Sequence, residues 1–159
     1  MADLPLRTGG EILVASLLAQ GATHAFGVPG ESYLAVLDAM HDVGDRLQFV
    51  ICRNEGGAAF MGEAFGKLTG TPGLVFVTRG PGASNAAIGI HTAMQDSTPL
   101  IVFVGQVGSD MVDREAFQEV DYRRMYCSVA KWAAQIDQVE RIPEYVARAW
   151  RLALSGRPG

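Results

Sequence analysis

Apolar residues along the first two thirds of the chain alternate between helical spacing and short continuous runs. Helical spacing over residues 9–20 predicts a helix, with Thr8 as its N-cap and Glu11 as the capping-box partner. Runs rich in β-branched and aromatic residues predict strands, and small-residue stretches after glycine turns predict helices. In chain order these are a strand at 24–28, a helix at 32–41, a strand at 47–52, a helix at 56–68, a strand at 74–78, a helix at 83–94 and a strand at 100–104.

The last third is less regular, and there we predict a short helix near 121–126, a strand near 129–136 and a helix at 140–154. Continuous apolar strands separated by helices favour a parallel sheet covered on both faces, a doubly wound α/β domain. The turn at 155–159 would ordinarily lead into another strand. We therefore expect the sheet to lack its last strand, and the chain to be part of a longer polypeptide or a subunit completed by another chain.

Composition narrows the class of protein. With 159 residues, 48% of them hydrophobic and 19% charged, the chain can form the core of one domain. The net charge of −4 is spread without like-charge blocks, and no apolar run approaches about 20 residues, so we expect neither nucleic acid nor membrane as a partner. Residues 1–14, which carry Asp3 and Glu11, lack the pattern of a secretory signal. Reduced Cys52 and Cys127 fit the cytoplasmic location we expect.

Candidate chemistry begins with Glu55, at the junction of a predicted buried strand and a predicted helix N-terminus. Ligands of open α/β sheets bind at that edge, although a glutamate there commonly serves only to stabilise the helix dipole. Two further strand-to-helix turns, residues 26–31 and 78–85, should open on the same edge. Their glycines allow the backbone to approach a flat ligand closely. Three converging turns predict a binding site.

Several common sites are disfavoured. Asn85 occupies the third glycine position of a dinucleotide-binding turn that would begin at Gly80, and no acidic ribose ligand follows the next strand. The Gly-x-x-x-x-Gly-Lys-Ser/Thr pattern of a P-loop is absent. His24, His41 and His91 lack metal-ligand spacing with the cysteines, so we expect no metal site in this chain.

A series of motifs resembles the acetolactate synthase family of thiamine-diphosphate enzymes over essentially the whole chain. Several motifs in order and at family spacing are far more specific than any one alone. They are Phe26-Gly27-Val28-Pro29-Gly30, Arg53-x-Glu55-x-Gly57-Ala58-Ala59, Thr69-Gly70-x-Pro72-Gly73, Thr78-x-Gly80-Pro81-Gly82-Ala83, Asp96-Ser97-Thr98-Pro99-Leu100, Gly105-Gln106-Val107, Ala116-Phe117-Gln118-Glu119, Ala130-Lys131-Trp132 and Gly156-Arg157-Pro158-Gly159.

The resemblance implies that residues 1–159 are the pyrimidine-binding domain of a larger subunit. The middle domain and the diphosphate-binding domain, with its Gly-Asp-Gly…Asn motif, would then lie outside this chain. Thiamine diphosphate would lie between two subunits, its pyrimidine ring held here and its Mg²⁺-diphosphate held by the partner's other domain. The resemblance therefore implies a homodimer or homotetramer that assembles through the pyrimidine domain.

The resemblance also assigns site residues. Glu55 would bond to the pyrimidine N1′ and thereby promote loss of the thiazolium C2 proton. Pro29 and Gly30 would line the pyrimidine pocket, and Thr78, Gly80 and Asn85 would shape its edge. The remaining matches are Phe117 and Gln118 at the substrate channel, Lys131 as a substrate contact or a solvated strand end, and Arg157 at a position that contacts FAD in flavin-containing members.

Three departures from the family pattern bear on the substrate. Asn54 and Gly56 replace the usual histidine and glutamine beside the glutamate, and Arg79 replaces a small residue. Arg79 adds a cation that could receive an anionic substrate or a structural carboxylate. We expect a thiamine-diphosphate-dependent carboligase or decarboxylase acting on a 2-oxo acid. The alternatives are an oxalyl-CoA decarboxylase-like or sulfoacetaldehyde acetyltransferase-like enzyme, or a non-catalytic regulatory or oligomerisation paralogue.

Overall fold

Four predicted strands form one parallel sheet in the computed structural model, which describes residues 6–159. They are β1 (His24–Gly27), β2 (Gln48–Ile51), β3 (Gly73–Val77) and β4 (Leu100–Val104), in the order β2-β1-β3-β4. Gly27 pairs with Ile51, and Val77 pairs with Val104. The carboxyl ends of the strands therefore lie along one edge of the sheet. Residues 1–5 lie outside the described residues, and they include Asp3, which the sequence analysis used as evidence against a secretory signal.

Helices follow the strands in the alternation that the sequence predicts. Within residues 6–159 they are α1 (Gly9–Ala19), α2 (Leu34–Val43), α3 (Glu55–Thr69), α4 (Gly80–Asp96), α5 (Tyr122–Tyr126) and α6 (Ile142–Leu154). Short 3-10 turns occupy Glu31–Tyr33, Gly44–Arg46, Ser109–Met111 and Val139–Arg141. The Thr8 and Glu11 capping box is present at the start of α1, as predicted.

The central strand β3 shows why the sheet is covered on both faces. All five of its residues are buried. Leu74 and Phe76 belong to a core cluster with residues of α1, α2 and α6, whereas Val75 and Val77 belong to a second cluster with residues of α3 and α4. Because successive side chains of a strand point to opposite faces, this division confirms the doubly wound architecture.

Helices α3 and α4 pack unusually close to their neighbours because small residues line the contacts. A Cβ added at Gly73 would lie 1.9 Å from the carbonyl oxygen of Gly62. A Cβ added at Gly89 would lie 2.4 Å from the Cβ of Ala59. The α3 backbone therefore touches β3 directly, and α4 lies against α3 with only a methyl group between them.

Two sequence predictions were wrong. Residues 129–136 form no strand and no backbone ladder to β4, because their side chains pack against the second core cluster, through Val129, Ala130 and Ala133, and against α6. The Trp132 ring lies 6.1 Å from the Tyr145 ring and 5.1 Å from the Arg148 guanidinium. The predicted turn at 80–82 is the first turn of α4, which begins three residues earlier than expected and carries Pro81 at a position where proline is tolerated.

Among the helices described in residues 6–159, none has both the length and the apolar character that crossing a bilayer requires.

Candidate active site at the carboxyl edge of the sheet

Glu55 is held in the first turn of α3 by the residue before it. Asn54 is the N-cap of that helix, and its Oδ1 accepts hydrogen bonds from the backbone N–H groups of Gly56 at 2.8 Å and Gly57 at 3.2 Å. An N-cap of this kind satisfies donors that the helix leaves free. The helix dipole then stabilises the half-buried Glu55 carboxylate. Asn54, which departs from the family pattern, thus has a structural role here.

The Glu55 carboxylate lies between two residues of α4. Asn85 donates a hydrogen bond from Nδ2 to Glu55 Oε2 at 2.9 Å. A Cβ added at Gly82 would lie 3.3 Å from Glu55 Oε1 and 2.9 Å from Thr78 Cγ2. The amide therefore fixes one oxygen, while the other lies close to Gly82, where a side chain would collide with Thr78.

Tyr33 is a buried neighbour that sequence reasoning did not identify. Its hydroxyl donates a hydrogen bond to the carbonyl of Val28 and lies 3.4 Å from the carbonyl of Phe76. Burial, and secondarily the negative charge of Glu55, raise its pKa to about 12, although a backbone hydrogen bond with Gly30 opposes the shift. The phenol is therefore neutral at physiological pH. Its position two residues after the converging turn at 26–31 was the available signal.

The first and third turns meet through Thr78. A Cβ added at Gly30 would lie 2.8 Å from Thr78 Cβ, so only glycine permits this approach. The hydroxyl groups of Ser32 and Thr78 are hydrogen-bonded at 2.9 Å. Pro29 is exposed in the same turn. The predicted pocket residues of both turns are thus brought together.

Arg79 joins the same two turns by a charged contact. Its Nη2 forms an ion pair with Glu31, and its guanidinium lies over the Phe117 ring at 5.9 Å. The backbone N–H of Gly80 donates to the carbonyl of Gln118 at 3.1 Å. Phe117 and Gln118 therefore reach the edge that carries Glu55, and Arg79 is paired with a carboxylate of its own chain.

Lys131 and Arg157 lie elsewhere. Lys131 Nζ donates to the carbonyl of Leu152 in the last turn of α6, and to those of Ser155 and Arg157 beyond it at 2.6 and 2.7 Å. Arg157 Nη2 donates to the carbonyls of Met94 and Gln95 at 3.0 and 2.7 Å, in the last turn of α4.

The length of α4 separates these two cations from Glu55. Asn85 is the sixth residue of this 17-residue helix, and Arg157 binds the carbonyls of Met94 and Gln95 near its end, about 15 Å further along the helix axis. The structure does not bring Lys131 or Arg157 to the Glu55 group, and a substrate contact and an FAD contact for them stay predictions.

Eight predicted site residues share the carboxyl edge with Glu31, Tyr33 and Arg79: Pro29, Gly30, Glu55, Thr78, Gly80, Asn85, Phe117 and Gln118. Across residues 6–159, no group of three or more histidine, cysteine, aspartate or glutamate side chains is arranged to hold a metal ion. The edge thus offers a carboxylate, amide and hydroxyl groups, and surfaces opened by glycine, which suits a flat polar ring.

Known proteins are similar to this chain over nearly its whole length. Residues 7–125 match the family described as "Thiamine pyrophosphate enzyme, N-terminal TPP binding domain". The chain is 42% identical over 156 residues to the acetolactate synthase isozyme 3 large subunit of Escherichia coli (strain K12), covering 98% of the chain and 27% of that protein. It is 41% identical over 152 residues to the acetolactate synthase of Bacillus subtilis (strain 168), covering 95% and 26%.

A mitochondrial relative is similar over the same region. The chain is 39% identical over 152 residues to the mitochondrial acetolactate synthase catalytic subunit of Saccharomyces cerevisiae, covering 96% of the chain and 22% of that protein. The chain thus spans about a quarter of the length of these relatives.

Proposed function

Because this chain belongs to the thiamine pyrophosphate enzyme family as its N-terminal TPP-binding domain, we propose that it holds the pyrimidine ring of thiamine diphosphate and supplies Glu55 as the activating carboxylate. The enzyme we propose is an acetolactate synthase-like carboligase or decarboxylase acting on a 2-oxo acid. The oxalyl-CoA, sulfoacetaldehyde and non-catalytic alternatives gain no support from the relatives, which carry acetolactate synthase names.

The observation that carries the proposal is the environment of the Glu55 carboxylate. Asn85 binds Oε2, which leaves Oε1 beside Gly82, where a side chain would fill the space. We propose that the edge of a flat ring meets this oriented carboxylate, with a proton held between a ring nitrogen and a carboxylate oxygen. When bound, thiamine diphosphate supplies the nucleophile and electron sink for 2-oxo acid chemistry.

In this chemistry the protein would bind and orient the cofactor, and it would hold a proton beside the ring. Glu55 would share a proton with the pyrimidine N1′, and the Asn85 hydrogen bond would hold the carboxylate in the required orientation. The close contacts of Gly30 and Gly82 with Thr78 would shape the wall along the ring. Tyr33, neutral and bonded to backbone carbonyls, would close the interior side without adding a second charge beside Glu55.

The partner we propose is a second copy of the same protein. Large apolar side chains are exposed at the end of β2 and on α3 and α4: Ile51 at 70%, Phe60 at 41%, Met61 at 48% and Ile88 at 58%. An exposed apolar patch of this kind marks an interaction surface. It supports a homodimer or homotetramer through this domain, and sedimentation velocity of the complete protein tests that assembly.

The rest of the cofactor site belongs to the proposal as well. We place the middle domain and the diphosphate-binding domain, with its Mg²⁺, outside residues 1–159. FAD binding and a cytoplasmic location stay predictions.

The test replaces Glu55 by Gln in the complete protein, which keeps the shape of the side chain and removes its charge. Turnover of pyruvate and other 2-oxo acids, dependent on thiamine diphosphate and Mg²⁺, should fall by about 10²- to 10⁴-fold, the usual contribution of a positioned acid–base group. The control is Glu140→Gln, because Glu140 is an exposed glutamate at the start of a 3-10 turn away from the site. Undiminished turnover by Glu55→Gln would overturn the proposed role.

A further inference from the structure

Arg79 is a largely enclosed cation between two residues of the proposed cofactor site, Thr78 and Gly80. Only 13% of its side chain is exposed. A buried charge is costly unless it is paired and its donors are hydrogen-bonded. The contacts of its guanidinium therefore indicate whether the protein itself supplies acceptors for all of its hydrogen-bond donors.

The pairing of Arg79 is incomplete. Its ion pair uses Nη2, and the Glu31 side chain on the other side is 71% exposed. Arg79 Nε is buried and has no hydrogen-bond acceptor within residues 6–159. A guanidinium presents a planar fork that matches a carboxylate through two parallel bonds, so a single contact leaves much of its binding capacity unused.

Phe117 adds an apolar surface beside this fork. Its ring lies 5.9 Å from the Arg79 guanidinium and is 72% exposed. The neighbouring Gln118 has a φ of 64°, and its carbonyl accepts the bond from Gly80. A cation with unused donors next to an exposed ring is suited to a small organic anion with an apolar portion.

We propose that Arg79 binds the carboxylate of the substrate, that Phe117 contacts the apolar portion of the same molecule, and that Glu31 occupies the guanidinium until the substrate displaces it. The inference rests on the proposed function and names the residues that recognise its 2-oxo acid. The exchange is non-covalent. Arg79 remains paired before and after it, and the exposed Glu31 carboxylate turns into water.

Substitutions of the two partners should act in opposite directions. Arg79→Met removes the cation and keeps an unbranched apolar stem, so an anionic substrate should bind more weakly. Glu31→Gln removes the competing carboxylate and keeps its shape, so the same substrate should bind more tightly. A purely structural ion pair would give weaker binding in both variants, because either change would loosen the two turns.

The experiment uses the complete protein with thiamine diphosphate and Mg²⁺, and its probe is oxamate, an unreactive carboxylate that resembles pyruvate. Calorimetry should give a dissociation constant about 10- to 100-fold higher for Arg79→Met and about 3- to 10-fold lower for Glu31→Gln, the range of a charge-assisted hydrogen bond. Arg79→Lys, which keeps the charge and loses the fork, should lie between wild type and Arg79→Met. The KM for pyruvate should follow the same order.

Arg141→Met is the matched control, because Arg141 also pairs with a glutamate, Glu144, and lies over an aromatic ring, Tyr145, at 4.9 Å. It should leave oxamate binding unchanged. An Arg79→Met dissociation constant within about twofold of wild type, or weaker binding by Glu31→Gln, would overturn the inference; the second criterion holds even if Arg79→Met does not fold. Failure of the proposed function is a different result: the wild-type protein would show no thiamine-dependent turnover of any 2-oxo acid.

Discussion

Asn85 Nδ2 lies 2.9 Å from Glu55 Oε2 and joins the first turn of α3 to the second turn of α4 across 30 residues of sequence. Each residue is fixed by its own helix, with Asn54 capping one and Pro81 beginning the other. The carboxylate therefore has a set orientation before any ligand arrives. Preorganised groups avoid the cost of ordering during the reaction.

Two substitutions of Asn85 should separate the effect of orienting the Glu55 carboxylate from the effect of the charge beside it. Asn85→Ala removes one hydrogen bond, and we expect thiamine-dependent turnover to fall about 3- to 10-fold. Asn85→Asp places a like charge against Glu55, and we expect a loss of about 10²-fold or more. Steady-state kinetics and cofactor titration measure both. Ser84→Ala, at the exposed neighbouring position, is the control, and equal losses for Ala and Asp would contradict the electrostatic argument.

Tyr33 should make stability depend on pH under alkaline conditions. Its pKa is about 12 in the folded chain against 10.0 for a free tyrosine. The stabilisation is therefore fully present below about pH 10 and is lost as pH rises toward 12, because the unfolded chain ionises first. We expect a loss of about 1–2 kcal/mol across that window. Urea unfolding between pH 9 and 11 measures the slope, which should be smaller in Tyr33→Phe.

Two glycine substitutions should change stability in opposite directions. Gly89→Ala places a methyl group 2.4 Å from Ala59 Cβ, and overpacking of this kind costs about 1–3 kcal/mol. Gly57→Ala meets nothing within 4 Å in the first turn of α3 and should stabilise the chain by about 0.5–1 kcal/mol through helix propensity. Urea denaturation of both variants measures the difference. Equal stabilities would show that the contact between α3 and α4 relaxes.

Lys131 should contribute stability rather than catalysis. Lys131→Met removes the donor to three carbonyls near the end of α6, and we expect a loss of about 1–2 kcal/mol. The control is Arg123→Met, because the ion pair of Arg123 with Asp121 is exposed on both sides, at 62% and 56%, so its loss should change stability little. A large rise in the KM for pyruvate in Lys131→Met, at unchanged stability, would instead support the substrate contact.

The strands and helices around the sheet could be predicted from sequence because their signals are local. Apolar runs mark β3 and β4, and the Thr8 capping box marks the start of α1. The failure at residues 129–136 has a tertiary cause. Trp132 packs against Tyr145 and Arg148, and these contacts override the local strand preference of the segment.

The candidate site was only partly predictable. Thr78 follows β3 directly, and Glu55 and Asn85 lie early in the helices that follow β2 and β3, so topology alone brings them to one edge. The partner of Arg79 was left open, because nothing local links residue 79 to residue 31. Tyr33 was missed for a similar reason: its position beside Glu55 depends on how the turn after β1 folds back over β3.

The direct contact between Gly62 and Gly73 sets where this domain accepts sequence variation. With 1.9 Å between the Gly62 carbonyl oxygen and an added Cβ at Gly73, a library of random variants should lose nearly every substitution at Gly73. Exposed residues such as Glu31 and Phe117 carry no such restriction. Directed evolution toward a new substrate would therefore find its usable diversity in the outer turns, while the layer between α3 and β3 stays invariant.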